Sequence, residues 1–528
     1  MLTRPALLVG LCAVSLLCMP LTVEAQNPDR WSGSVDYGEL EPVSYFNPYK
    51  QETQIAAQQL FSLIYEGLYR YDYDAEDYLP LLASSSSYIS ENVVEIDLRT
   101  DVHWHDGSPF TVDDVVFTYN YIRDQAPSQI SNAYKSITAE RVSSTRVRFQ
   151  FSEPTPDPLR FFEAWIIPRH YFYGYEPRGN PHTLSRHPVG TGPYRFEERT
   201  DEGHVTLVVN GNYRGARGKV EKLRMRRITD PGQVGLLAIN GYHQLVLKVP
   251  PDAIPQIKGS NKFRFDVYAS FGFYAFAYDC KHPILSDVRV RRALTLATNR
   301  EGMLRQWFGE SGRVVAGPFN KYSPYFDPEL APLPYNVRDA RALLKEAGYK
   351  DIDNDGFLET PQGDKFSLEL IYRTESVAIE TLNGNLVENY VKDLEEIGIE
   401  VRVVATEINA YNDQIFEEQA FDIALVQWTF DPIYDVTELF VRNGNKNIVA
   451  FEDDEIDDLV RQFDEELDPE RRILLMKTFQ RILRDQSPYT FLVSEDREIA
   501  FHRSLLNTRV DPYYLIRDFP QWYIDSGF

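Results

Sequence analysis

Residues 379–404 read IETLNGNLVENYVKDLEEIGIEVRVV. The first nineteen carry the spacing of a long helix, Ile379 to Ile397, and Gly398 is a natural stop for it. Ile399 to Val404 then reads as a strand. An apparent strand precedes the helix at Phe366 to Ile371, and another follows at Phe421 to Val426. Strand, helix and strand in this order predict a parallel or mixed sheet covered by helices.

The neighbouring sequence extends this picture. Ser286-Asp287 caps a helix carrying Val290, Ala293, Leu294 and Ala297. Asn336 caps another, with Ala340, Leu343, Leu344 and Ala347 on one face and Gly348 at its end. Two more helices are expected near residues 455–466 and 470–485. In the first half, Val93 to Leu98 reads as a strand. Thr111 opens a helix through Val115, Val116, Tyr119 and Ile122. Val142 to Phe151 alternates as a half-buried strand does, and Pro154, Pro156 and Pro158 close it. No short tandem repeat is present, which excludes solenoids and propellers. The fold class is α/β, with more than one lobe.

Length and charge narrow the function. A chain of 528 residues suits two or three compact units. Its hydrophobic and charged fractions, 43% and 25%, are those of a globular protein. The net charge of −24 is spread without a basic block, which argues against nucleic-acid or anionic-lipid partners. Arg4, the apolar run Ala6 to Leu17, Pro20 and the small-residue site before Gln26 form a cleavable signal peptide, residues 1–25. The run is short for a membrane anchor. Leu16-Leu17 before Cys18 lacks the small residue of a lipoprotein signal. Cleavage removes Cys12 and Cys18 and leaves Cys280 without a disulfide partner. The mature chain is expected to be soluble and exported.

Catalytic signatures are weak. There is no His-Glu-x-x-His, nucleophile elbow or phosphate loop. Gly190-Thr191-Gly192 starts like a dinucleotide fingerprint, but Pro193 and Tyr194 follow and no helix opens, so a structural turn is expected. His103 and His105 share a strand face and suit a metal, yet no third ligand is adjacent and Asp106-Gly107 is a turn. Asp351-Ile352-Asp353-Asn354-Asp355-Gly356 matches the first half of a calcium loop. Its twelfth position is Gln362 rather than Glu, which leaves a hydrated acidic turn or weak Ca²⁺ binding. No cofactor or metal is expected, and no enzyme class stands out.

Several longer segments then converge in order. They are Leu60 to Leu68 (LFSLIYEGL), Val102 to Val116 (VHWHDGSPFTVDDVV) and Pro188 to Phe196 (PVGTGPYRF). The Asn212-Tyr213-Arg214-Gly215 turn, Pro283 to Arg300 (PILSDVRVRRALTLATNR), Leu343 to Gly356 (LLKEAGYKDIDNDG) and Phe421 to Asp431 follow. Together, over roughly residues 40–500, the sequence resembles the family 5 extracellular solute-binding proteins, the peptide and nickel receptors of ATP-driven importers.

The resemblance implies a bilobal periplasmic receptor with a ligand cleft between its lobes. Lobe I would take residues 26–60, 186–280 and 490–528, its inserted subdomain 61–185, and lobe II 281–489. Arg289, Arg291 and Arg292 would lie on a solvated helix face. Peptide-binding members pair an acidic residue with the ligand ammonium, three positions after a Trp; here these are Asp431 and Trp428. Trp428 would supply a flat apolar wall or a cation–π face. Gln427 replaces the Gly often found before that Trp. Arg373 is the candidate for a ligand carboxylate, and Tyr45, Phe46 and Asn47 would face the cleft from lobe I. The expected partners are a peptide or other small-molecule ligand and the membrane permease of an ABC importer, with the receptor itself a monomer and no nucleic acid involved. Within the family the other solutes are a metal chelate, an oligosaccharide or an opine-like compound. Outside it stand an exported metal-assisted enzyme using His103 and His105, and a chaperone-like envelope protein.

Overall fold

The computed structural model describes residues 33–49, 55–172, 184–309, 312–374, 377–430 and 436–525. The signal peptide with Cys12 and Cys18 lies outside the described residues, as does Asp431.

Helix starts follow their caps. Thr111 and Asp114 form a reciprocal capping box at the head of Val112–Gln125, with the Thr111 N–H donating to Asp114 Oδ2 at 2.9 Å. Asp287 accepts the Arg289 N–H at 2.8 Å before Val288–Ala297, and Asn336 accepts the Asp339 N–H at 3.1 Å before Val337–Glu346. The long helix spans Val377–Glu396, and Gly348 and Gly398 end their helices at φ +98° and +84°, where a side chain is strained.

Ser367–Thr374 pairs in parallel with Glu400–Glu407 across that long helix, and with Ile423–Thr429 on its other side. Antiparallel Gly272–Tyr278 and Tyr489–Phe491 complete a five-stranded mixed sheet. An eight-stranded sheet runs in the order Phe263–Ala269, Val493–His502, Leu245–Val246, Ser34–Glu39, Lys222–Arg227, Val205–Val209, Tyr194–Arg199. Gly312–Val314 adds to Val493–His502 off that path. A third sheet orders Ala83–Ser90, Val93–Leu98, Arg146–Phe151 and Ile137–Arg141, all antiparallel, under Val112–Gln125. The fold is bilobal, with this four-stranded unit inserted in the first lobe.

Two details differ from the sequence reading. Residues 142–145 form the turn before Arg146–Phe151, with the Val142 and Ser143 N–H groups both donating to the Arg146 carbonyl at 2.9 and 3.1 Å. Gly272–Tyr278, assigned from sequence to the first lobe, pairs inside the second-lobe sheet. The chain passes from the eight-stranded to the five-stranded sheet at 270–271 and back at Leu492, with Gly312–Val314 reaching to the first of these sheets in between.

The quoted segments turn out to be joints. Glu66 of the first accepts both guanidinium nitrogens of Arg214, at 2.7 and 2.8 Å, and the Tyr213 hydroxyl at 2.9 Å. Arg291 is buried, and its guanidinium donates to the Gln486, Leu285 and Ser286 carbonyls; it is a helix-to-helix tie rather than a solvated charge. Arg289 does lie exposed, paired with Asp287.

His243 is buried beside Asp36 and Arg226, and neither ring nitrogen has a hydrogen-bond partner among the described residues. Burial pulls its pKa from 6.5 down to about 4. The unfolded chain then binds the extra proton between those values, so the contribution is intact above pH 6.5 and is lost as pH falls toward 4. Urea unfolding is expected to show stability dropping across that window, and a His243→Leu variant to lose less of its own stability there.

Candidate ligand cleft

In sheets of this kind ligands bind beyond the carboxyl ends of the strands. The second lobe's three parallel strands end together at Thr374, Glu407 and Thr429, and the crossings at 270–271 and Leu492 leave from the same edge. That edge faces the first lobe, and a polar seam runs across it.

Arg373 begins the seam in the second lobe, donating from Nη2 to Gln427 Oε1 at 2.9 Å. Among the described residues no carboxylate pairs with it, so its charge is held in place by a neutral amide. Gln427 lies opposite Tyr274 in the sheet. Burial raises the Tyr274 phenol, and Glu495 adds to this, while Arg497 and Arg373 oppose it. Arg497 Nε donates to Glu495 Oε2 at 3.3 Å, and Tyr268 of the first lobe interacts electrostatically with the same guanidinium. The Tyr268 phenol is pushed up to about 12 by burial. Lys248 is exposed next to them, its ammonium pKa lowered by Arg497 and by desolvation. Glu39 closes the seam at the end of Ser34–Glu39. Burial and then Glu41 push its carboxyl up to about 7, against the N–H donors of Leu40 and Glu41 at 2.8 and 3.0 Å.

The seam thus carries both charges where the chain passes between the two sheets.

The expected site residues separate on this frame. Arg373 is in the seam. Trp428 points to the opposite face of the sheet, 7% exposed, with its ring against Phe416 at 6.1 Å and Phe430 at 6.0 Å and Lys446 over it at 5.7 Å. Phe46 is fully buried on Phe61 and Phe196, so it fills the core and offers no surface. Asn47 accepts the Tyr49 N–H at 3.0 Å in a turn, and Tyr45 is 42% exposed beside it. Sequence reasoning missed Glu39, Lys248, Tyr268, Tyr274, Glu495 and Arg497. One signal was available: Glu495 to Glu498 are four successive charged residues in the strand Val493–His502, directly before its apolar Ile-Ala-Phe.

The rejected chemical motifs have structural partners. His105 Nδ1 accepts the Gly190 N–H at 3.2 Å and its Nε2 faces the Gly192 carbonyl at 2.9 Å, which makes Nε2 the protonated nitrogen. Both nitrogens are used, and burial holds the ring near pKa 4, so it is neutral. In the acidic turn, Asp351, Asp353 and Asp355 converge with Glu359, their nearest oxygens within 4.8 Å. Asp351, Asp353 and Glu359 accept N–H groups of the same loop.

Comparison with known proteins agrees with this architecture. The family model for bacterial extracellular solute-binding proteins, family 5, matches residues 77–448. The oligopeptide-binding protein AppA of Bacillus subtilis (strain 168) is 23% identical over 546 residues, covering 98% of this chain and 96% of its own. The structure of that protein with a nonapeptide aligns at TM-score 0.76 and 21% identity, over 93% of this chain and 99% of its own. NikA from Brucella suis with Fe(III)-EDTA aligns at TM-score 0.81 and 20% identity, over 93% and 100%. The chain belongs to the bacterial extracellular solute-binding proteins, family 5.

Proposed function

We propose that this protein is the receptor of an ATP-driven importer that captures short peptides between its lobes and presents them to a membrane permease on closure. The observation that carries this reading is the seam. Arg373, held by a neutral amide at the strand ends, is the proposed partner of a ligand carboxylate. Asp431, two residues beyond Ile423–Thr429 in sequence, is the proposed partner of the ligand ammonium. Main-chain hydrogen bonds and bridging water would carry the rest of the peptide with little sequence preference. The work is binding and hinge motion, without bond chemistry. The similarity to AppA supports a peptide ligand.

The same reading has the receptor act as a monomer in the periplasm, after cleavage behind Ala25. Residues 26–60, 186–269 and 493–528 form its first lobe around the eight-stranded sheet. Residues 61–185 form the insert, and 272–491 the second lobe.

Native mass spectrometry of the mature protein from its host, followed by gentle denaturation, tests the ligand class. The expected result is a ladder of peptide masses released at one equivalent in total. A single non-peptide mass, such as a metal chelate, would keep the receptor and remove the ammonium and carboxylate anchors.

A further inference from the structure

Away from the seam, a cavity of about 950 Å³ lies between the inserted subdomain and the second lobe. Residues 151–157, with Arg160 and Phe161, form one wall, and the helical stretch from Ile408 to Glu418 forms part of the other. It adjoins the ring of Trp428 through Phe416 and Lys446. Three features set its chemistry. Phe416 stands 46% exposed on the wall and offers a ring face to the cavity. Asp413 and Glu417 flank it about one helical turn apart, and Glu153 belongs to the opposite wall. Among the described residues these three carboxylates make no hydrogen bond or ion pair with any side chain. The cavity also holds Asp157, Glu438 and Asp464, so six carboxylates face its three cations, Arg160, Lys446 and Arg472, and these cations lie against aromatic rings. Arg472 donates to the Phe463 and Glu466 carbonyls and lies over the Phe463 ring at 3.6 Å, Arg160 lies over Phe161 at 4.7 Å, and Lys446 lies over Trp428.

An exposed ring face edged by uncompensated carboxylates suits a guanidinium or ammonium group carried on an apolar stem. An acidic side chain placed there would meet like charge on both walls. We infer that this cavity is a side-chain subsite for an arginine or lysine of the ligand, with Phe416 as its ring face and Asp413 and Glu417 as its charge. The inference rests on the peptide reading and adds selectivity to it.

Calorimetry on the full mature chain tests it, using alanine tetrapeptides that carry one Arg, Leu or Glu at each position in turn. At one position or more, the Arg peptide is expected to bind roughly tenfold tighter than the Leu peptide, and the Glu peptide more weakly than both. The preference should shrink in about 0.5 M NaCl, since the carboxylates face solvent. In the double variant Asp413→Asn/Glu417→Gln, and separately in Phe416→Ala, the Arg-to-Leu ratio should fall toward one. An unchanged melting temperature shows that these exposed substitutions leave the fold intact. Equal binding of Arg, Leu and Glu peptides at every position overturns the subsite while the peptide reading stands. So does a preference that survives the double variant. Failure of every tetrapeptide to bind overturns the peptide reading and the subsite with it.

Discussion

Replacing Gly190 by alanine is expected to destabilise the protein by about 3 kcal/mol or more, or to prevent its soluble expression. A methyl group built on Gly190 falls 1.8 Å from the Ile64 carbonyl oxygen and 2.6 Å from its carbon. Both are backbone atoms at the end of Ile55–Ile64, so no rotamer change relieves the contact. The helix end cannot retreat either. The Ile64 carbonyl accepts the Gly192 N–H at 2.9 Å, and the turn is bound to His105 through both ring nitrogens. Asn210 adds a bond to the Gly192 carbonyl at 3.0 Å. The cause is close approach and not backbone conformation, because Gly190 lies outside the positive-φ glycines. Gly211→Ala is the control: no atom beyond its chain neighbours lies within 4 Å of the added carbon, so its effect should stay within about 0.5 kcal/mol. Urea unfolding of the two variants separates the cases, and equal stability would refute the packing argument.

This turn also shows why part of the fold is readable from sequence. Gly190-Thr191-Gly192 and His103-Trp104-His105 look like chemistry when read singly, and they become one joint when the chain brings them together. Caps at Thr111, Asp287 and Asn336, and stops at Gly348 and Gly398, are legible because their hydrogen bonds join residues two to four apart or depend on one residue's φ. The strand–helix–strand order around residues 379–397 is legible for the same local reason, and it fixes the parallel pairing of Ser367–Thr374 with Glu400–Glu407. Burial across elements is not legible. Arg291 looks like any helix-surface arginine until the carbonyls at Gln486 arrive from nearly two hundred residues away. Phe46 lies in a segment expected at the cleft, yet its apolar ring is more stable in the core. The seam is the extreme case. Glu39, Lys248, Tyr268, Tyr274, Arg373 and Arg497 come from six strands or loops, and only the two crossings between lobes place them in one line. Arg373 was found through resemblance; the others carry no local pattern that marks them as a set.

The seam also carries the largest expected functional effect. If Arg373 takes the ligand carboxylate, Arg373→Ala should weaken binding of a free-acid peptide by about 10- to 100-fold, the scale of a lost hydrogen bond to a charged group. Amidating the peptide should cause a similar loss in the wild type and little further loss in the variant, because each change removes the same contact. The substitution leaves Gln427 Oε1 without its donor, but that residue is only half-buried and water can take the donor's place, so the fold should persist with an unchanged melting temperature. Asp431→Asn with N-acetylated peptides forms the mirror experiment at the other end of the ligand. The four combinations of protein and peptide at each end form a double-mutant cycle. Strong coupling of Arg373 to the free carboxylate and of Asp431 to the free ammonium would set the polarity of the bound chain. Full additivity at either end would remove that anchor and leave the ligand held by the rest of the seam, where Lys248 and Arg497 on the first-lobe side are the next cations to test against the carboxylate.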